Sequence, residues 1–581
     1  MLARLTACFL ALAVPALAAS PPAVESTQFM VVSAQRLASE AGAEMLRRGG
    51  NAIDAAVAVG YAQAVTNPCC GNIGGGGFMT LHLADGRDVF LDFRETAPAA
   101  ATANMYLDAE GKVIPGASFF GWKSAGVPGT VLGLETALAK YGTLPRAVVM
   151  APAIRLAREG FILTRGDTDI LEYRTREFRT RPPLAKLFLR PDGTPLQPGD
   201  RLVQSDLADT LSAIAADGAP AFYTGRIPAA VEAASRAGGG ILTAADFAAY
   251  KVNETTPLTC SYRGAVIHSA PPPSSGGTTI CEILNILEGY DMPALGFRSA
   301  QSVHLLTEAM RHAFLDRNTY LGDPAFVSNP LDRLLSKDYA AAIRAQIGPA
   351  ATASKDLLPG VPPHEKTETT HYSVLDRAGN AVSVTYTING AFGALVMADG
   401  TGFLLNDEMD DFTVKLGVAN SFGLVQGSAN AIAPGKRPLS SMAPTIVTQD
   451  GKVSLVLGSP GGSRIISITL LTLLNMLDHG MELQEAVDAP RLHHQWLPDE
   501  VYFERRGLSP DTAALLRQMG YKLTEQVPWG SVAAIAVGTS EATGRGPRTI
   551  PSDAALSGRM RAGVIYGAND NRRPAGAAIG E

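Results

Sequence analysis

The sequence predicts an α+β fold, and three observations carry that expectation. Apolar Leu37, Ala41, Met45 and Leu46 follow a helical period that Gly49-Gly50 stops, and the alanine-rich stretch from Ile53 to Val65 reads as a second helix. The middle of the chain, from about Pro128 to Gln346, reads as mostly helical with polar linkers. After Thr369 the period drops to two: Tyr372, Val374, Val382, Val384 and Tyr386 alternate with polar residues, as half-buried strands do.

Each strand pair has its own turn. Gly71-Asn72-Ile73 and Gly74 to Gly77 lead into a strand from Phe78 to Leu83, Asp85-Gly86 turns the chain, and Val89 to Phe93 returns. The glycine run has neither the ending of a phosphate loop nor the spacing of a dinucleotide fingerprint, so it reads as a loop that approaches another backbone closely. Ala270 to Gly277 reads as a rigid-then-flexible loop. Ser354 to Glu368 holds three prolines and several charges without an apolar period, which suits an exposed, mobile cut site.

Beyond it, Arg377-Ala378-Gly379 fits a three-residue hairpin loop with glycine in the left-handed position. Pairing Asp376 with Asn380 then sets Thr369 opposite Thr387, to within one residue. Thr369, His371, Ser373, Ser383, Thr385, Thr387 and Asn389 share one polar face, which an ordinary solvent face would equally explain. A further pair, Thr445 to Val447 and Val453 to Leu457, ends in Gly458-Ser459-Pro460-Gly461-Gly462-Ser463 and a helix from Arg464 to Leu477. Such a turn leaves backbone N–H groups aimed one way and can hold an oxyanion, although plain strand-to-helix turns share the pattern.

Bulk properties narrow the class. A chain of 581 residues is too long for one small core and implies two domains or one large layered unit. Its net charge of -6 leaves no basic footprint for nucleic acid. Arg4, the apolar run Phe9 to Leu17 and the small-residue site Ala16-Leu17-Ala18 read as a secretory signal over 1–18, too short for a span of about 20 apolar residues. Ile465 to Leu477 is interrupted by Ser467, Thr469, Thr472 and Asn475, so no membrane association is expected after signal removal. The remaining protein is expected in the periplasm or outside the cell. Cys69, Cys70, Cys260 and Cys281 are too few for a disulfide scaffold and fit no zinc spacing. They read as packing residues, with a Cys260–Cys281 bridge left open.

The chemistry centres on "KTETTHYSV", Lys366 to Val374. A threonine hydroxyl is a poor nucleophile without a base, and its own amino group serves only if the chain is cut in front of it. Other schemes fit worse. Leu457 stands where a Gly-x-Ser-x-Gly elbow needs glycine. The adjacent His493 and His494 read as structural, and Asp407, Glu408, Asp410 and Asp411 lack a calcium-loop pattern. No metal and no cofactor are expected. The remaining polar groups suit an amino-acid zwitterion: Arg94 with Ser440 and Ser441 for a carboxylate, Glu408 and Asp411, three apart, for an ammonium.

Together these motifs resemble the gamma-glutamyltransferase family of the N-terminal nucleophile hydrolases. The matching stretches are "GGNAIDAAVA" (49–58), "GNIGGGGFM" (71–79), "LDFRETAP" (91–98), "TTHYSV" (369–374), "TYTIN" (385–389), "LLNDEMDDF" (404–412), "KRPLSSMAPTIV" (436–447) and "GSPGGSRII" (458–466). The resemblance implies a four-layer αββα sandwich with a largely helical lobe from the large subunit. It also implies self-cleavage between Glu368 and Thr369 into a large subunit, 19–368, and a small catalytic one, 369–581, that stay associated. By that resemblance Thr369 is nucleophile and, through its α-amino group, base. Thr387 hydrogen-bonds it, and Gly461 and Gly462 form the oxyanion hole. Arg94, Ser440 and Ser441 bind the glutamyl α-carboxylate, and Asn389, Glu408 and Asp411 its α-amino group. Lys415 to Asn430 resembles a lid loop in which Phe422 stands where a gating tyrosine is usual. About Thr539 to Arg561 reads as an inserted polar loop, and "GANDNRRPAG" (567–576) after it receives no role. The implied activity is hydrolysis and transfer of γ-glutamyl groups from glutathione-like donors to water, amino acids or peptides. The rival readings are a glutaryl (cephalosporin) acylase and a catalytically silent exported binding protein.

Overall fold

Two seven-stranded antiparallel sheets are stacked face to face in a computed structural model that describes residues 20–354, 369–538 and 560–581. The expected signal, the Glu368 side of the cut and most of the expected insertion lie outside the described residues. The first sheet runs, edge to edge, Ala577–Gly580, Met30–Ser33, Thr370–Leu375, Ala381–Thr387, Gly76–His82, Asp88–Phe93 and Asn253–Thr255. The second runs Val24–Ser26, Ile565–Asn569, Ala533–Val537, Lys452–Gly458, Thr445–Gln449, Ala265–Ser269 and Leu258–Tyr262. Strands at 253–269 therefore interrupt the middle stretch expected to be mostly helical.

Helices cover both outer faces. Arg36–Arg47 and Ala52–Thr66 share one core with the apolar side of the first sheet, including Tyr372, Val374, Val382, Val384 and Tyr386. A helical lobe from Thr130–Tyr141 to Ala244–Ala249 extends that core. Gly276–Leu287, Ala300–Tyr320 and Ile465–Leu477 share a second core with Ile267, Val447, Leu455 and Leu457 of the other sheet. The result is the αββα arrangement.

The central hairpin explains why both sheets are buried on both faces. Its register pairs Thr370 with Tyr386 and Leu375 with Ala381, which continues to Thr369 opposite Thr387 as counted from the turn. Gly379 has φ +94° and Asp376 N–H donates to Asn380 O at 3.0 Å. The polar face is not a solvent face. Thr369 to Ser373 and Ser383 to Thr387 are all buried, because this side packs on the second sheet. Ser373 Oγ donates to Ala533 O at 3.0 Å and Ser383 Oγ to Leu457 O at 3.2 Å, so hydroxyls pair with carbonyls across the interface. His371 bonds Thr385 Oγ1 at 2.8 Å and Ser373 Oγ at 3.1 Å, and its ring lies where a Cβ on Gly458 would come within 2.4 Å.

The glycine run behaves as expected: a Cβ on Gly74 would stand 2.0 Å from Leu404 O, and one on Gly75 2.0 Å from Thr387 O. Three other expectations are corrected. Ser354 is buried, since its N–H donates to Asp499 Oδ2 at 2.7 Å and its hydroxyl meets Arg311. The loop before Gly276 is pinned and not flexible: Ser275 N–H and Oγ both donate to Ser440 O, at 2.8 and 2.6 Å. The cysteines are disulfides, Cys69–Cys70 and Cys260–Cys281. In the second pair, packing of Gly276–Leu287 on Leu258–Tyr262 brings the Cα atoms to 5.9 Å, a contact no spacing reveals.

The Gly458–His371 contact yields a test. Gly458→Ala should destabilise the protein by about 1–3 kcal/mol through overpacking. His371→Ala in the same chain should recover part of that loss, because it empties the space the new methyl needs. Thermal midpoints of the two single variants and the double check this; strictly additive losses would contradict it.

Candidate active site

Thr369 enters the site at the open end of the central hairpin. Its Oγ1 lies 3.2 Å from Thr387 Oγ1, which accepts the Asn389 N–H at 2.8 Å. Asn389 itself adopts φ +71° and donates from Nδ2 to Asp407 O at 3.0 Å, so the chain beyond Thr387 is bent onto the acidic turn. The neighbouring histidine is no rival base. Burial pushes His371 down to about 3, and it stays neutral across any working pH.

Opposite stands the turn after Lys452–Gly458. Gly461, at φ +143°, caps a 3-10 turn that Gly462, at φ +55°, opens. Their N–H groups have no intrahelical acceptor, as an oxyanion hole requires. Three contacts hold the turn. Ser463 Oγ donates to Gln495 Oε1 at 2.6 Å, Gln495 Nε2 donates to Phe422 O at 2.9 Å, and Ser531 N–H donates to Ser459 Oγ at 3.1 Å. The motif that received no role supports the last. Asp570 accepts Val532 N–H at 3.0 Å and is paired with Arg491, whose guanidinium also meets Trp529 O.

One cavity brings together Arg94, Thr369, Thr387, Asn389, Glu408, Asp411, Ser440, Ser441 and Gly462. Of the expected site residues, only Gly461 does not line it, and Glu368 lies outside the described residues. Phe422 of the expected lid loop lines it too and is buried there. Arg94 follows the strand Asp88–Phe93, and its Nη1 lies 2.8 Å from Glu408 Oε2 and 3.4 Å from Glu95 Oε2, while Nη2 meets Asp411. Burial opposes its charge, but Glu408, Asp411 and Glu95 outweigh that and hold its pKa above the ordinary value. Glu408 and Asp411 sit on one 3-10 turn, as their spacing suggested. The Glu408 contact lacks hydrogen-bond alignment, so both of its carboxylate oxygens are buried without a hydrogen-bond donor. Burial raises the Glu408 pKa well above the carboxylate range, and Glu95 to about 7. A cation arriving beside Glu408 would restore its charge and fill its empty acceptors.

Sequence reasoning missed two further components. Gln495 ties the expected lid loop, through Phe422 O, to the turn at Gly461-Gly462, through Ser463. Arg317, near the end of the helix Ala300–Tyr320, lines the same cavity, and its Nη2 donates to Ser441 Oγ at 3.2 Å. A charged residue inside a helix carries no signal of burial until the loops that cover it are known. Among the described residues no group of three or more His, Cys, Asp or Glu is placed to hold a metal ion.

The family model for gamma-glutamyltranspeptidase matches residues 38–578. A glutathione hydrolase proenzyme of Pseudomonas sp. (strain A14) is 58% identical over 97% of this chain and 96% of its own. Another, of Escherichia coli (strain K12), is 48% identical over 89% of each chain. Among solved structures, a cephalosporin acylase from Bacillus halodurans is similar with a TM-score of 0.81 at 27% identity, over 99% of both chains. On the family match and these identities, the chain belongs to the gamma-glutamyltranspeptidase family.

Proposed function

We propose that this chain is a γ-glutamyl hydrolase and transferase that activates itself by cutting between Glu368 and Thr369. The observation that carries the reading is the convergence, in one cavity, of a threonine pair, an oxyanion turn and groups for both ends of an amino acid. In the uncut chain, the Thr369 hydroxyl attacks the carbonyl of Glu368, and the amide C–N bond breaks to leave an ester and a free α-amino group; water then hydrolyses the ester, which separates the chains and restores the hydroxyl. That group titrates at about 7.7–8.0 in unperturbed chains, so much of it accepts a proton near neutral pH.

Turnover repeats the chemistry on a donor. Thr369 Oγ1 attacks the γ-carbonyl, the α-amino group takes the hydroxyl proton, and the oxyanion forms against the N–H groups of Gly461 and Gly462. The departing amine takes the proton back, leaving a γ-glutamyl ester on Thr369. Water, or the amine of an amino acid or peptide, then accepts the acyl group. Arg94, Ser440 and Ser441 bind the donor's α-carboxylate; Asn389, Glu408 and Asp411 bind its α-ammonium. Glutathione-like donors fit this arrangement.

The two products of the cut stay together because they interleave. Thr370–Leu375 pairs with Met30–Ser33, and Ala381–Thr387 with Gly76–His82, so the new chains (19–368 and 369–581) share one sheet. The leader at 1–18 supports export to the periplasm or beyond. No helix among the described residues is long and apolar enough to cross a membrane.

The second reading, a glutaryl acylase, draws on the likeness to the cephalosporin acylase. A glutaryl donor has no α-ammonium, and would leave the unfilled Glu408 carboxylate buried beside it. That cost favours the glutamyl donor.

On a denaturing gel the purified protein should show two chains, the smaller beginning at Thr369. Thr369→Ala should abolish both cutting and turnover. A wild-type chain that stays whole for days at neutral pH would sink the enzyme reading. Paired anilides separate the donors: the wild type should prefer γ-glutamyl over glutaryl, and Asp411→Asn should lower that preference roughly tenfold or more, the worth of a charged hydrogen bond. An unchanged ratio would remove Asp411 from the ammonium site.

A further inference from the structure

Arg317 differs from Arg94 in one respect that the proposed function leaves unexplained. Arg94 has three carboxylates around it; Arg317 has none within ion-pair distance among the described residues. Its partners are all neutral: Ser275 Oγ at 3.1 Å from Nε, Asn318 Oδ1 at 2.9 Å and Gln426 Oε1 at 2.7 Å from Nη1, and Ser441 Oγ at 3.2 Å from Nη2. These use four of the five guanidinium N–H groups, and the one left over is on Nη2, the nitrogen that reaches Ser441. The side chain is almost completely buried. Burial pushes its pKa down to about 10, with Asp411 opposing and Arg94 adding to the effect. A buried cation without a counter-ion is costly, and a protein keeps one where a ligand supplies the missing charge.

The position says which part of the ligand that is. Ser441 and Arg317 line the cavity that holds Arg94 and Thr369. Glu408 and Asp411 already occupy Arg94, so Arg94 alone cannot give its full charge to an incoming anion. We infer that Arg317 is a second cation of the substrate-carboxylate site, taking the donor's α-carboxylate through its remaining Nη2 N–H beside Ser441. Arg94 then serves both ends of the zwitterion, bridging the carboxylate to Glu408 and Asp411. Arg317 also links the two ends structurally: Gln426, which accepts from it, donates from Nε2 to Asp411 O at 3.0 Å. The inference rests on the γ-glutamyl reading and extends it to a residue outside the motifs that suggested it.

The test compares two donors that differ only in the group Arg317 is said to bind: γ-glutamyl-p-nitroanilide and 4-aminobutyryl-p-nitroanilide, which lacks the α-carboxylate. Where turnover of the second is too slow, it is measured as a competitive inhibitor. Arg317→Gln should weaken binding of the carboxylated compound roughly ten- to hundredfold and that of the other by less than about twofold, with Arg317→Lys between wild type and Gln. A purely structural role would weaken both equally; equal losses, or no loss, overturn the inference. Self-cleavage on a gel reports folding, and if Arg317→Gln stays uncut, Arg317→Lys is judged by the same comparison. A wild-type enzyme that cuts itself yet ignores the γ-glutamyl compound overturns the functional reading, and this inference with it.

Discussion

The hairpin from Thr370 to Thr387 has to satisfy two packing partners at once, and the rest of the structure follows from how it does so. On one side, Tyr372, Val374, Val382, Val384 and Tyr386 join the helices Arg36–Arg47 and Ala52–Thr66 in an apolar core. On the other, hydroxyls and a neutral imidazole meet the carbonyls and glycines of the second sheet. A one-residue slip would exchange the two faces, burying tyrosines against the second sheet and hydroxyls among alanines. The register is therefore held by many contacts, and the same register sets Thr369 beside Thr387. Thr369, the proposed nucleophile, directly precedes a strand fixed from both faces and so needs little reorganisation to react.

Charge in and around the cavity, which Glu408 lines, follows a similar logic. Four buried carboxyl groups, Glu95, Asp407, Glu408 and Asp410, have pKa values raised chiefly by burial. For Glu95 the sign is simple: its folded value of about 7 exceeds the ordinary 4.5, so its contribution favours the folded state fully below 4.5 and is lost as pH rises through 7. Glu95 is thus held at a cost in stability near neutral pH. Under the proposed function, an ammonium bound beside Glu408 would offset part of the cost of burying that acid.

How much of this was legible in the sequence depended on distance along the chain. The Thr369–Thr387 pairing could be counted from Arg377-Ala378-Gly379 because antiparallel register is local arithmetic. Glu408 and Asp411 declared themselves by spacing on one turn. Arg94, Ser440 and Ser441 were legible as residue types, and by resemblance as partners, but nothing in the spacing joins positions 94 and 440. Arg317 and Gln495 were missed because each acquires its role only when distant loops cover it. The disulfide Cys260–Cys281 and the burial of Ser354 belong to the same class: they arise from packing between elements, and local pattern does not encode it. The polar hairpin face was ambiguous for a related reason, since solvent and a second polar-lined sheet select the same residues.

The central claim is that Thr369 carries the acyl group. Rapid acid quenching of the enzyme with a γ-glutamyl donor, followed by mass spectrometry of the digested small chain, tests it most directly. The account predicts a γ-glutamyl ester on the peptide whose first residue is Thr369, absent without donor and lost when an acceptor amino acid is added before the quench. An adduct confined to another residue, with the Thr369 peptide unmodified during turnover, would contradict it.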